Sequence, residues 1–221
     1  MQDYLVLRLT GPMQAWGLPT FEGTRPCATF PGRSGLLGLL AACLGIKRND
    51  RTRLKMLADS VRFAVRCDNH LPYRPTYLTD FHTVKDAREK AGGLKMNDTI
   101  ITRREYLCDA SFSVVVWTPS GEGQGLTLDV LTAAVQKPVY TPYLGRRSCP
   151  LTHPLFHCVI NAENPACALA SAIPGSGVIY SEEAISGDER RLPVRDEPIF
   201  HLPRQFTSRT WFVIQQEETC F

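Results

Sequence analysis

The sequence predicts an α+β fold, and two observations carry that prediction. Residues 4–10 (YLVLRLT) and 110–117 (ASFSVVVW) are short runs rich in apolar residues that favour strands. Between and after these runs, apolar residues recur at helical spacing in GLLGLLAACLGI and GLTLDVLTAAVQ. The chain has 221 residues, of which 43% are hydrophobic, so it fits one compact domain or one domain with a small appendage.

The predicted elements alternate in an order that indicates a particular layout. In chain order they are strand 4–10, helix 35–46, helical segment 52–59, strand 61–67, strand 110–117, helix 125–136 and strand 155–161. Ser34 is a plausible N-cap of the first helix because its hydroxyl can accept a hydrogen bond from the first turn. Counted without the short segment 52–59, the order is βαββαβ, which is typical of ferredoxin-like and RNA-recognition-motif domains.

Two stretches fall outside this core pattern. Residues 71–107 are polar, with Gly92-Gly93 at the middle and a strand-like run on each side, and this predicts a long hairpin that projects from the body. The last 60 residues hold a short helix (164–172) and strands near 178–181, 192–200 and 206–214. We therefore predict a body over 1–161 and a small β-rich part over 162–221, which is either an appendage or a second, degenerate copy of the body.

Composition excludes several classes of protein. No apolar run reaches the length of about 18 residues that spans a bilayer, and the N-terminus has no basic region of the kind that opens a secretory signal. The eight cysteines form no CxxC pair, so we expect reduced thiols in a cytoplasmic protein rather than disulfides or a metal site. Residues 1–60 carry eight Lys and Arg against four Asp and Glu, whereas the tail is acidic.

The segment 140–154 (YTPYLGRRSCPLTHP) is the richest in binding chemistry. It has no acidic residue, and its prolines forbid a regular helix, so we expect an ordered loop. Tyrosines, a glycine and an arginine pair suit single-stranded nucleic acid. The candidate contacts are Tyr143, Gly145, Arg146, Arg147, Ser148 and His153. In an extended chain the two arginines point different ways, so one can face RNA while the other pairs with protein; a solvated surface loop is the alternative.

A second candidate cluster follows the first strand directly, within a linker over 11–33 that is long for a structureless loop. It consists of Met13, Gln14, Ala15, Trp16 and Gly17. Trp16 can stack on a base and Gln14 can bond a base edge, although Trp16 can equally fill the core. Arg25 and Arg33 flank the region. Arg33, with Ser34 after it, precedes a predicted helix N-terminus, where a phosphate would be stabilised.

The predicted hairpin supplies a third basic cluster. Its members are Arg88, Lys90, Lys95, Arg103 and Arg104. Such a hairpin can lie between stacked nucleotides or across a neighbouring protein. The alternative is a solvated hairpin whose charges only aid solubility.

Six segments of the chain, in the same order, resemble the CasD family, whose members are subunits of the type I-E CRISPR surveillance complex Cascade in the repeat-associated RNA-binding superfamily. They are GPMQAWG (11–17), TFEGTRP (20–26), FPGRSGLLGLL (30–40), REYLCDASF (104–112), YTPYLGRRSCPLTHPLF (140–156) and LPRQFTSRTWFVI (202–214). The resemblance implies a ferredoxin-like body, a thumb hairpin at about 75–107 and a glycine-rich loop before the last core strand.

The resemblance also implies a function and a set of partners. The implied ligand is the 5′ handle of the guide CRISPR RNA. The implied partners are the repeated backbone subunit and the large subunit of Cascade, with target DNA reached through the assembled complex in antiviral defence. No cofactor and no metal are implied.

Catalysis is a separate question, because His82, Tyr106, Tyr143 and His153 could act as general acids or bases on RNA. Relatives of this family in type I-C systems cleave the repeat RNA. In the type I-E branch a different subunit performs cleavage, and this chain has no adjacent His–Lys pair and no carboxylate–histidine spacing for a metal. We predict a non-catalytic RNA-binding subunit, with a metal-independent endoribonuclease as the alternative and a protein-only scaffold as a third possibility.

Overall fold

The computed structural model describes residues 1–20, 23–68, 76–85, 99–119, 125–201 and 205–215, and it is a mixed, sheet-rich α/β structure. The strands are β1 (Gln2–Thr10), β2 (Met13–Gln14), β3 (Thr24–Arg25), β4 (Arg62–Asp68), β5 (Thr76–Lys85), β6 (Thr99–Cys108), β7 (Ser111–Trp117), β8 (Phe156–Ala162), β9 (Gly177–Ser181), β10 (Arg190–Pro198) and β11 (Phe206–Gln215). The helices are α1 (Arg33–Cys43), α2 (Arg51–Ser60), α3 (Leu128–Gln136) and α4 (Pro165–Ala172).

Seven strands form the main sheet, in the order β10-β11-β9-β4-β7-β1-β8. Every neighbouring pair in it is antiparallel. Strands from the C-terminal 60 residues therefore extend the same sheet that β1, β4, β7 and β8 build, with β9 beside β4. The predicted division at 161/162 falls before the last residue of β8, and the chain on each side of it contributes strands to the one sheet. The division stays a prediction.

Core residues pack on both faces of this sheet. The evidence is β7, which is buried along its whole length. Its side chains alternate between two hydrophobic clusters, as the pleat of a strand requires. Val114 and Val116 face the cluster that contains the apolar side of α1, whereas Val115 and Trp117 face the cluster that contains α4. Burial on both faces explains the unbroken apolar run from Val114 to Trp117 in the second half of β7.

The first helix begins earlier than predicted, and the expectation that Ser34 caps it is wrong. The N-cap is Gly32, which has no side chain to offer, and Ser34 lies inside the first turn. The carboxylate of Asp196 accepts a hydrogen bond of 2.7 Å from the Arg33 amide instead. β10, which is distant in sequence, thus supplies the acceptor for an N–H group in the first turn of α1 that has no partner within the helix.

A second, smaller sheet is built around β6. β5 pairs with one edge of β6 in antiparallel register from Thr76 opposite Cys108 to Lys85 opposite Thr99. β2 and β3 also pair with β6. The two predicted strands of the excursion are therefore present and paired, whereas Arg88, Lys90 and Lys95 lie outside the described residues. Within the described ranges, no helix is long and apolar enough to cross a bilayer.

The cysteines of the described ranges are unpaired thiols, and several are deeply buried. Burial raises the pKa of Cys43 to about 11 and that of Cys67 to about 12. Both thiols are therefore protonated at neutral pH, so they are weak nucleophiles.

Candidate nucleic-acid interface

The linker after β1 is an ordered segment that lies along β6. β2 places Met13 opposite Cys108 and Gln14 opposite Leu107, while β3 runs parallel to β6 with Arg25 opposite Arg104. The Arg103 amide also donates to the Gly23 carbonyl over 2.9 Å. Two parts of the linker, β2 and β3, are thereby fixed to β6.

The glycine-rich loop before β8 packs directly against this linker. The Ala15 amide donates to the Leu144 carbonyl over 3.0 Å, and the Leu144 side chain is buried. Gly145 has a φ of +83°, and a Cβ at this position would lie 1.9 Å from the Ala15 carbonyl oxygen. A residue with a side chain would clash with the linker backbone and would also be strained. Gly145 therefore sets how closely the loop approaches β2.

Arg146 connects three segments of the interface. Its Nη1 donates to the Glu105 carbonyl on β6 over 3.0 Å, and its Nη2 lies 3.5 Å from the Arg25 carbonyl on β3. The guanidinium carbon also lies 4.6 Å from the centroid of the Tyr106 ring. Because one planar group makes all three contacts, Arg146 holds the loop, the linker and β6 in one arrangement.

The neighbouring Arg147 has the opposite environment. It is exposed, and it makes no hydrogen bond or ion pair with any residue that the structure describes. Of the arginine pair, Arg146 is the residue that pairs with protein, and Arg147 is available to a ligand.

Several other predicted site residues are exposed on the same loop and linker. They are Gly17, Tyr143, Gly145, Ser148 and His153. Tyr143 is 42% exposed, which leaves part of its ring accessible for stacking. The Nδ1 atom of His153 lies 3.0 Å from the Thr152 hydroxyl, a local contact that orients the ring.

Gln14 and Trp16 are buried, in contrast to the exposed loop. The Gln14 amide donates to the Ala110 carbonyl over 2.7 Å and accepts from the Trp16 indole N–H over 2.9 Å. The indole ring packs on Gly35, where a Cβ would lie 3.0 Å from it. Trp16 thus occupies the core, and its contact with a base stays a prediction that this packing does not favour. Met13 is half-buried and Ala15 is buried.

Arg33 is enclosed by carboxylates from residues distant in sequence, and the sequence did not identify them as its partners. Only 4% of the residue is exposed, and its Nη1 lies 2.7 Å from one Glu182 oxygen and 3.0 Å from the other. Its Nε lies 2.7 Å from Glu197, and Arg209 pairs with the same Glu182. The predicted phosphate contact of Arg33 is untested, but its guanidinium already has anionic partners within the protein.

Burial shapes the electrostatics of this carboxylate cluster. Desolvation raises the pKa of Glu182 and of Asp196, against the opposing effect of Arg33 and Arg209. The Asp196 carboxylate also accepts from the Trp211 indole over 3.0 Å. The acidic character of residues 181–221 was the only sequence signal for this cluster, and it did not identify the partner. Ser34, half-buried in the first turn of α1, lies next to it.

The remaining predicted arginines of the described chain lie on β3 and β6. Arg103 is exposed, while Arg25 and Arg104 are half-buried and opposite each other in register. The Nε of Arg104 donates to the Thr102 hydroxyl over 3.3 Å. Since side chains alternate along a strand, Arg104 shares its face of β6 with Tyr106, and so with the Arg146 guanidinium. This face therefore carries the guanidinium groups of Arg104 and Arg146, with Asp80 opposite Arg104 in register.

The candidate acid–base groups do not converge in the described part of the chain. His82 lies 3.4 Å from Asp80 on β5, and the hydrogen-bond partner of His153 is Thr152 on the loop. Tyr106 is buried beneath Arg146. Among the described residues, no group of three or more His, Cys, Asp or Glu side chains is placed to hold a metal.

Comparison with known proteins adds the family to this geometry. The family model described as CRISPR-associated protein (Cas_Cas5) matches residues 4–213. The chain belongs to the Cas5 family of CRISPR-associated proteins. It is homologous to the CRISPR system Cascade subunit CasD of Escherichia coli (strain K12), with 56% identity over 220 residues that cover 97% of each chain.

Solved structures agree with the sequence comparison. A chain of a structure described as a CRISPR RNA-guided surveillance complex matches with a TM-score of 0.76 and 28% identity, covering 96% of this chain and 89% of that one. A crystal structure of a Cas protein matches with a TM-score of 0.58 and 27% identity, over 96% and 93% of the two chains. The predicted resemblance to the Cascade subunit family is confirmed.

Proposed function

We propose that this protein is a non-catalytic subunit of a CRISPR Cascade complex and that it binds the 5′ handle of the guide RNA. The observation that carries the proposal is the loop over 143–148, which Arg146 fixes against β6 while Tyr143, Arg147 and Ser148 remain exposed. The relation to a Cascade subunit supports the assignment to such a complex. An ordered loop with exposed cationic and aromatic groups binds a single strand without first having to order itself.

The proposed contacts divide by chemistry. Arg147 and Ser148 bind backbone phosphate, and Tyr143 stacks on a base. Arg25, Arg103 and Arg104 supply positive potential beside the loop. The cluster that follows the first strand acts mainly by positioning the loop, because its packing sets where the loop lies. Its members are Met13, Gln14, Ala15, Trp16 and Gly17. Phosphate contacts of this kind make affinity fall with salt.

The proposed fold of the body is ferredoxin-like, with β5 and β6 forming the thumb. The strand order β4-β7-β1-β8, with α1 before β4 and α3 before β8, supports this proposal. We also propose that residues 162–221 are an addition that widens the same sheet. The antiparallel pairing of β9 with β4 supports this second proposal.

The proposed partners are the repeated backbone subunit and the large subunit of the complex, in the cytoplasm. Large apolar side chains are exposed along the β5–β6 pair, and they are Tyr77, Leu78, Phe81 and Ile101. Such a patch is typical of a surface that a partner covers. It supports a role of the thumb in assembly, with target DNA reached through the complete complex.

The RNA-binding proposal is tested by reconstituting the complex with Arg147→Ala and measuring guide-RNA retention over a range of salt concentrations. We expect weaker retention and a salt dependence shallower by about 0.7 in the log–log slope, as for one lost phosphate contact on a single strand. Arg191→Ala, an exposed arginine on β10, is the matched control. Equal retention for both variants would refute the role of the loop.

The non-catalytic part of the proposal has its own test. Purified protein incubated in EDTA with repeat RNA that carries the handle should leave the RNA intact. A defined cleavage product that disappears in His82→Ala or His153→Ala would show instead that the protein is an endoribonuclease.

A further inference from the structure

The densest run of Lys and Arg in the described chain lies outside the interface above. It is on α2 and the turn before it, and its exposed cationic residues are Lys47, Arg48, Arg51, Arg53 and Lys55. Five cations within nine residues create a strong local positive potential on a chain whose net charge is only +3.

The acidic residues nearby neutralise little of this charge. Asp50 caps the helix by accepting from the Arg53 amide over 3.1 Å, and Asp59 pairs with Lys55 over 2.5 Å. Lys47, Arg48 and the Arg53 guanidinium have no hydrogen bond or ion pair with any residue that the structure describes. Three cations thus have no counter-charge in the described protein.

A cleft of about 1030 Å³ runs along the same helix. One wall is α2 from Arg51 to Ser60, and the other is the segment 198–201 that follows β10. Met56, Ile199 and Phe200 contribute apolar surface, while Arg51 and Lys55 lie at the rim. A second, polar cleft of about 460 Å³ shares Lys55 and Asp59 with the first and extends it toward Arg62. The lining of the groove therefore includes the cations Arg51 and Lys55 and the aromatic Phe200. Lys47, Arg48 and Arg53 lie beside the groove, on the first turn of α2 and the turn before it.

The groove lies at the opposite end of the central sheet from the loop interface. Arg62, just after α2, pairs with Trp117 at the end of β7, whereas Thr10, just before β2, pairs with Ser111 at its beginning. Six residue steps along a strand span about 20 Å. A ligand in the groove therefore occupies a different surface from a ligand on the loop.

We propose that this groove, together with the basic surface of α2 and the preceding turn beside it, is a second binding site for single-stranded nucleic acid. Arg48, Arg53 and Lys47 bind backbone phosphates along the helix, and Phe200 stacks on a base within the cleft. This combination of cations and an aromatic side chain fits a flexible strand with exposed bases better than it fits a duplex. The proposal does not require that the loop binds the guide-RNA handle.

The test uses the full chain and fluorescently labelled DNA and RNA oligonucleotides of about 12 nucleotides, a length within the range that single-strand sites cover. Anisotropy is measured for the wild type, for Arg48→Glu with Arg53→Glu, and for Phe200→Leu. We expect the double variant to bind on the order of tenfold more weakly, with a log–log salt slope shallower by about 1.4 for two lost phosphate contacts. Phe200→Leu keeps the apolar character of the cleft and should weaken binding several-fold through lost stacking.

Matched controls separate this site from general charge and from the loop. Arg190→Glu with Arg191→Glu makes the same charge change on exposed residues of β10, and it should bind nearly as well as the wild type. Repeating the α2 double variant in an Arg147→Ala background separates the two sites, because the fold-loss caused by the α2 changes should be the same with and without the loop arginine. The DNA and RNA arms show which kind of strand is preferred.

Two results would overturn the proposal. One is equal loss of binding in the α2 and β10 double variants, which would mean that only net charge matters. The other is unchanged binding in Phe200→Leu together with equally tight binding of polyglutamate, which would indicate a site for acidic protein. Circular dichroism shows whether each variant is folded, and Arg48→Gln with Arg53→Gln repeats the test without reversed charge.

Discussion

The Arg146 guanidinium lies 4.6 Å from the centroid of the Tyr106 ring while its Nη1 donates to the Glu105 carbonyl over 3.0 Å. One side chain of the loop before β8 therefore contacts both a ring and the backbone of β6. The adjacent Arg147 makes no such contact in the described protein. The arginine pair thus combines a structural residue with one that is available for binding, and substitutions of its two members should have different effects.

Arg146→Ala should destabilise the protein more than Arg147→Ala does. The first change removes a cation–π contact and leaves the Glu105 carbonyl without its donor, at a cost of about 1–3 kcal/mol. The second removes an exposed side chain and should change stability by less than about 0.5 kcal/mol. Urea denaturation followed by fluorescence measures both. Equal stability of the two variants would contradict the connecting role of Arg146.

Gly145→Ala should detach the loop from the linker. The new Cβ would lie 1.9 Å from the Ala15 carbonyl oxygen at a φ of +83°, so the backbone must move. We expect a loss of about 2 kcal/mol or more in the free energy of unfolding, together with weaker guide-RNA retention.

Gly187→Ala is the matched control for this prediction. Gly187 has a φ of +90°, and a Cβ added there would have no described atom within 4 Å, so the change adds backbone strain without a clash. It should cost only about 1 kcal/mol and leave RNA retention unchanged. If both variants lost stability equally, contact between Gly145 and Ala15 would not be what positions the loop.

Gln14→Ala should act on stability rather than on RNA binding. The change leaves the Trp16 indole N–H and the Ala110 carbonyl without their partners in a buried place, at a cost of about 1–3 kcal/mol for each group. Thermal unfolding measures the loss. Guide-RNA retention per folded complex should stay close to that of the wild type. A variant of normal stability that loses RNA would show instead that Gln14 reads a base.

Glu189→Gln should make stability less dependent on acid pH. Amide hydrogen bonds, that of Ser186 first and that of Ile185 with it, lower the pKa of Glu189 from 4.5 to about 2. Because the folded-state pKa is lowered, the ionised carboxylate stabilises the protein above the unfolded-state pKa, and this contribution is lost as pH falls from about 4.5 toward 2.

The measurement compares urea midpoints of the wild type and Glu189→Gln at neutral and at acid pH. The wild type should be more stable near neutrality, and the difference should shrink as the pH falls through this window. The side chain is substantially solvated, so the effect is expected to be small. A difference that grew on acidification would contradict the assigned cause.

Local sequence patterns were sufficient for most elements of the fold. The apolar run of β7, the helical spacing in α1 and the Pro-rich character of the loop each reflect a local constraint, and their positions are close to those predicted. The chemistry of the loop was also evident, because Gly145 and the adjacent arginines follow one another in the chain. Family membership came from the same contiguous segments.

Partnerships between distant residues could only be decided by the tertiary structure. The sequence suggested phosphate for Arg33 and a base for Trp16, since both residue types suit those ligands. The fold brings Glu182 and Glu197 to Arg33 and encloses Trp16 beside Gln14, and the predicted RNA contacts of both residues stay predictions. Likewise, only the position of β6 beside the loop shows that Arg146 contacts protein while Arg147 is exposed. The chemistry of a side chain follows from its identity, but its partner depends on which strands pair, because hydrogen bonds and desolvation act only at contact distance.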